Sequence, residues 1–154
     1  FIITADHGNQ TAFPEYEKVV NRIATPILIF KPDGSLKGED KRLAQQIDIY
    51  PTILDMVGYD KPFRSWGRSL VGDRKVEPYT ISYTSNMYIF QRGKYICAFD
   101  GNKVIGFFDI ADKALLNNLI GKRNKEMDEA ELSCRAFIQD YMERVIDKKL
   151  DIKK

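Results

Sequence analysis

The chain of 154 residues has one histidine, one tryptophan and two cysteines. A single histidine excludes every metal or catalytic arrangement that needs two imidazoles from this chain. The cysteines, Cys97 and Cys134, form no CxxC pair, so no zinc-finger set can be assembled. Both lie in apolar segments without a neighbour that would activate a thiolate. Buried free thiols are the first reading, and a disulfide stays open. No apolar run reaches the roughly 18 residues of a membrane span. Charge of one sign is also lacking: 24 basic against 22 acidic residues leave a formal net charge of +2. That balance gives no electrostatic footprint for nucleic acid. The basic tail, residues 148–154, reads as a solvated helix end.

What is present is an ordinary globular composition, 44% hydrophobic and 30% charged, long enough for a real core. The stretch that stands out is the first, Phe1-Ile2-Ile3-Thr4-Ala5-Asp6-His7-Gly8. A continuous apolar run is the pattern of a buried strand in a parallel sheet, and open α/β sheets carry their chemistry at the carboxyl ends of strands. A carboxylate beside an imidazole on such an end is a donor pair for a divalent cation. The bland alternative is a capped loop with a neutral histidine. A chain that opens mid-strand reads as a fragment of a longer domain.

A polar loop and about one helical turn near Phe13–Lys18 follow. Pro26-Ile27-Leu28-Ile29-Phe30 is a second short apolar run, closed by the turn Lys31-Pro32-Asp33-Gly34. Asp48, as N-cap, with Pro51 in the first turn and Gly58 as the stop, predicts a helix over 49–57, with Ile49, Ile53, Leu54 and Val57 on one face. Ser69 has no base near it in sequence and reads as a loop hydroxyl. From Tyr79 the pattern changes to short aromatic and β-branched runs, 79–83, 87–91, 94–99 and 104–110, parted by turn residues. They predict an antiparallel meander whose many rings pack in the core and across strands. A short helix over 111–120 and a long one with an apolar stripe at Met127, Ala130, Cys134, Phe137, Ile138, Tyr141 and Val145 complete the chain.

These motifs, taken in order, resemble the alkaline-phosphatase-like superfamily of sulfatases and phosphoglycerol transferases over nearly the whole chain. Asp6-His7-Gly8 resembles the strand end that brings two metal ligands. Gln46-Ile47-Asp48-Ile49-Tyr50-Pro51-Thr52-Ile53-Leu54 resembles a "Q-x-D-[IL]-x-P-T-[IL]-L" helix, and Gly67-Arg68-Ser69-Leu70 a following "G-x-S-L". Gly106-Phe107-Phe108-Asp109-Ile110 with Asn117-Asn118-Leu119 resembles the sulfatase C-terminal subdomain, and Asp-His tilts toward the lipoteichoic-acid-synthase-like branch. The fold implied is α/β, turning α+β in the C-terminal part: the last section of an alkaline-phosphatase-like sheet (1–75), then a small antiparallel sheet and a long helix (76–154).

The resemblance implies metal-assisted transfer at a sulfate or phosphate ester of a glycan or lipid headgroup. Asp6 and His7 would be two of about four ligands to Mn, Mg, Ca or Zn, with the hydroxyl nucleophile upstream of this chain. Lys18 and Arg22 are candidates for holding the anionic ester. The chain alone is expected to be inactive and to hold metal loosely, since two ligands compete poorly with water. The parent is expected to be membrane-anchored and extracytoplasmic. Two rivals stand beside this reading: a non-catalytic interaction domain, and a phosphatase, phosphodiesterase or phosphomutase of the same superfamily, which the sulfatase-like meander argues against. Cut from the upstream half of its sheet, the chain would expose a strand edge and self-associate.

Overall fold

A computed structural model describes residues 1–8, 13, 17, 19–72, 76–112 and 114–150. The chain is of mixed α/β class. The elements run β1 (Ile2–Thr4), α1 (Val19–Ile23), β2 (Ile27–Ile29), α2 (Ile49–Met56), β3 (Tyr79–Thr84), β4 (Met87–Arg92), β5 (Tyr95–Phe99), β6 (Val104–Asp109) and α3 (Lys125–Ile146). One sheet holds β1 and β2, the other β3 to β6 in sequential order.

The meander forms where its turn chemistry puts it. Ser85 and Asn86 both sit at positive φ (51° and 59°), the type I′ geometry that matches strand twist. Gly93, at φ 55°, opens the next tight turn. Asp100 closes the last one, its Oδ1 accepting the amides of Asn102 and Lys103, each at 2.8 Å. Alternation then divides the side chains. Phe90, Cys97, Phe99 and Phe107 face α3 and pack on Met127 and Cys134. Ile89, Ile96 and Ala98 face the other way, onto Val19 and Val20 of α1. Cys97 and Cys134 are free and fully buried, with their thiols in contact across the β5–α3 seam.

Several expectations change. β1 and β2 pair antiparallel, Ile3 opposite Leu28, rather than as members of a parallel sheet. They are not buried on both faces: Phe1, Ile3, Leu28 and Phe30 all lie exposed on one side of the ribbon. An apolar run reports that a strand wants cover, not whether cover is present in the same chain. Similarly, Ile53 of α2 and Val57 just after it are exposed, and the buried residues of α2 are Pro51 and Thr52. The helix expected over 111–120 is absent among the described residues of that segment. Leu115 takes a positive φ of 50°, and Asp112 Oδ2 accepts the Asn117 amide at 2.8 Å, so side-chain acceptors out-compete the helix. The segment becomes a strap along β6. Leu119 N donates to Phe107 O (2.8 Å), and Asn118 accepts from Phe107 N while donating to Ile105 O. The Asn-Asn-Leu run thus covers the edge of β6.

Candidate metal-binding tip and its support

β1 delivers Asp6 and His7 to an exposed turn, their side chains 88% and 78% accessible. The Asp6 carboxylate accepts the His7 amide on Oδ1 at 3.0 Å, which turns Oδ2 toward the imidazole. His7 Nδ1 lies 2.9 Å from Gly8 O. With Nδ1 donating to that carbonyl, the lone pair sits on Nε2, 3.5 Å from Asp6 Oδ2. A backbone carbonyl that fixes the tautomer in this way is the usual partner of a ligating histidine. Two donors 3.5 Å apart also match two ligands of one cation with bonds of about 2.0–2.1 Å at a near-tetrahedral angle. The pair therefore fits a divalent ion as part of a donor set. It is not a whole set: no cluster of three or more His, Cys, Asp or Glu is found among the described residues.

Gly8 is required by close packing. A Cβ there would collide with the carbonyl of Arg22. The C-terminal end of α1 is therefore pressed against the tip, with the Arg22 carbonyl on Gly8 and Arg22 itself exposed. Lys18 lies outside the described residues.

The support comes from residues 45–48 and the Gly67-Arg68 loop, whose energetic role the motif pattern alone did not reveal. Gln46 and its neighbours form a 3₁₀ turn, Gln46–Asp48, entering α2. Asp48 is fully buried, in helical conformation (φ −75°), and does not cap α2. Its carboxylate accepts Gln45 N at 3.0 Å and Arg68 N at 2.9 Å. The Arg68 guanidinium stands 3.7 Å away and donates to Leu43 O and Tyr79 O. Thr52 Oγ1 donates to Asp48 O at 2.6 Å and accepts from Leu70 N at 2.9 Å. Gly67 is so close to Ile47 O that any side chain would displace the loop. From this clamped turn two glutamines diverge. Gln45 Oε1 accepts Ile81 N of β3 at 3.0 Å. Gln46 Nε2 donates to Ala5 O at 2.6 Å and Asp6 O at 3.0 Å. Ser69 Oγ lies 2.6 Å from Asp55 Oδ2 and 2.8 Å from Val71 O, the engaged loop hydroxyl its sequence context suggests.

No family model matches the chain, and no solved structure does. Curated relatives do match over a limited stretch. The 2,3-bisphosphoglycerate-independent phosphoglycerate mutase of Acetivibrio thermocellus is 38% identical over 74 residues, 46% of this chain and 14% of that protein. The protein of the same name from Paracoccus denitrificans is 32% identical over 78 residues (46% and 14%), and that from Haloquadratum walsbyi 34% over 76 residues (46% and 15%). The chain thus spans about one seventh of the length of these relatives.

These names correct the expected branch. They are mutases, themselves of the alkaline-phosphatase-like superfamily, and no sulfatase or lipoteichoic acid synthase is among them. The reason lies in what the motifs do physically. The Asp-His-Gly tip, the Gln-x-Asp turn and the Gly-Arg-Ser-Leu loop build a strand end and its support, which branches with different substrates can share. The Phe-Phe-Asp-Ile and Asn-Asn-Leu segments build a core strand and its edge cover, and carry no branch-specific chemistry. The membrane-anchored, extracytoplasmic setting is implied by the corrected branch alone. Among the described residues no helix is long and apolar enough to cross a membrane.

Proposed function

We propose that this chain is the part of a divalent-metal-dependent phosphotransfer enzyme of the alkaline-phosphatase-like superfamily that supplies two metal ligands, Asp6 and His7, and that the parent reaction is a phosphomutase reaction of the phosphoglycerate mutase type. The observation that carries the reading is the paired geometry of Asp6 Oδ2 and His7 Nε2, 3.5 Å apart with the second imidazole nitrogen on a backbone carbonyl. The relatives' names support the phosphoryl chemistry. When bound, the cation neutralises oxyanion charge and lowers the pKa of a hydroxyl nucleophile. In this chain Asp6 and His7 would hold the ion, the Gly8 carbonyl would orient the imidazole, and Arg22, whose carbonyl packs on Gly8, is the candidate to pair with a phosphate. The nucleophile and the remaining ligands belong to the rest of the catalytic domain, with residues 1–75 as its last section and 76–154 as a subdomain. The exposed face formed by Phe1, Ile3, Leu28 and Phe30 is where that remainder packs. In its absence copies of the isolated chain associate through this face. Light scattering that finds a monomer at high concentration contradicts this.

The test is on the longer protein that carries the chain. Interconversion of 3- and 2-phosphoglycerate is expected to require added divalent metal and to fall at least about 100-fold in His7→Ala. Undiminished turnover by that variant, or turnover in a chelator, overturns the reading.

A further inference from the structure

Gln46 stands directly behind Asp6 and His7, and its role rests on the metal-binding reading of that pair. Nothing in the chemistry of an amide suits it to ligate a cation here, and its nitrogen faces away from that use: both of its hydrogens go to main-chain oxygens. Nε2 lies 2.6 Å from Ala5 O and 3.0 Å from Asp6 O. Those two carbonyls bracket the peptide that aims the Asp6 carboxylate, and they lie 40 and 41 residues away in sequence. Among the described residues the exposed tip has few other tertiary restraints: Gly8 packs on the carbonyl of Arg22, and Thr4 Oγ1 donates to Pro26 O at 2.8 Å just before it. The other hydrogen bonds of Asp6 and His7 among the described residues are made within the tip itself.

Gln46, by contrast, springs from a backbone that cannot drift. Its 3₁₀ turn is held by the buried Asp48 carboxylate on Gln45 N and Arg68 N, and by the Gly67 backbone packed against Ile47 O. A rigid donor that bridges two successive carbonyls of an exposed loop fixes the direction of the side chain between them. We propose that Gln46 is the positioning residue of the metal tip: it transmits the rigidity of the Asp48 clamp to the two donors, and the bidentate geometry of Asp6 and His7 depends on it.

The single histidine makes a direct test available, because the imidazole proton resonances belong to His7 alone. The chain is titrated with Mn²⁺ and the paramagnetic broadening of those resonances is followed. Asp6→Asn removes the partner donor and is expected to abolish the response at low Mn²⁺. Gln46→Met keeps the side-chain volume and removes both donors, and Gln46→Ala removes the side chain. Both are expected to raise the Mn²⁺ concentration for half-broadening about tenfold. Gln45→Ala, which loses the bond to the meander but not the bond to the tip, is expected to leave it unchanged. Gln46 is exposed, so these variants keep the core, and the retained amide dispersion of β3 to β6 verifies it. A wild-type response in both Gln46 variants, with Asp6→Asn silent, overturns the role of Gln46 and leaves the metal reading intact. A wild-type response in Asp6→Asn overturns both.

Discussion

The two parts of this chain are held together by different physics. Every buried hydrophobic residue lies between Ile89 and Cys134 among the described residues. Before Gly72 the buried residues are Asp48, Pro51 and Thr52. The meander and α3 are therefore an apolar core of the usual kind, in which burial drives folding. The part that carries the candidate site has no such core among the described residues. It is organised by a carboxylate, a hydroxyl and an arginine that satisfy backbone groups from loops distant in sequence. Such an arrangement specifies geometry more than it contributes net stability, because each buried polar group must first be desolvated. The lesson is one of division: the second part supplies stability, and the first part uses hydrogen bonds to place a few atoms.

That contrast can be broken at either end. Phe107 is fully buried and touches the centre of the core. Phe107→Ala is expected to cost about 3–5 kcal/mol and to shift the urea midpoint of the whole chain. A loss under 1 kcal/mol would mean that the meander is not the stabilising unit. Asp48→Ala leaves the amides of Gln45 and Arg68 without their acceptor and strands a guanidinium that is only 10% exposed. The expected cost is about 3 kcal/mol, confined to the first part. By hydrogen exchange, Gln45 and Arg68 lose protection while Cys97 and Phe107 keep theirs. Uniform loss across both parts would show that the division is false.

The smallest expected effect is at the seam, where Trp66 Nε1 donates to Asp140 Oδ2 at 2.7 Å and its ring packs 5.0 Å from Tyr141. The Asp140 carboxyl is held below its ordinary value, first by its hydrogen bond from Arg144, with desolvation opposing and the indole N–H lowering it further. For a depressed carboxyl the contribution is complete above the unfolded pKa of about 3.9 and is lost as pH falls through the folded value. The carboxylate is 43% exposed, so solvent screening leaves at most a few tenths of a kcal/mol. The fluorescence of the only tryptophan is expected to step below about pH 4. Asp140→Asn, which accepts the indole N–H but does not titrate, should remove the step. A step that persists would detach Trp66 from Asp140.

Local chemistry made much of this legible. Asp48, Pro51 and Gly58 announced α2, and the observed helix is Ile49–Met56. Ser85-Asn86 and Asp100-Gly101 located turns of the meander, because residues that tolerate positive φ or bond their own backbone mark turns regardless of context. The α3 stripe was equally plain, although Tyr141 and Val145 remain partly exposed. What was hidden depends on partners distant in sequence. The cap expected of Asp48 turned out to be a clamp on Arg68, 20 residues away. The helix expected over 111–120 lost to Asp112 and Asn118, whose acceptors found the strap and the edge of β6. At the candidate site, Asp6 and His7 could be named as candidates because carboxylate and imidazole are recognisable as potential donors on their own. Gln46 could not, since an amide acquires meaning only from the carbonyls it meets.

The adjacent glutamines have one more consequence. Gln45 reaches the Ile81 amide on the edge strand of the meander, and Gln46 reaches the tip, from one rigid turn. The two contacts share a backbone but no side chain, so either can be cut while the other stays in place. The turn behaves as a bracket with two independent arms, bolted at a buried carboxylate.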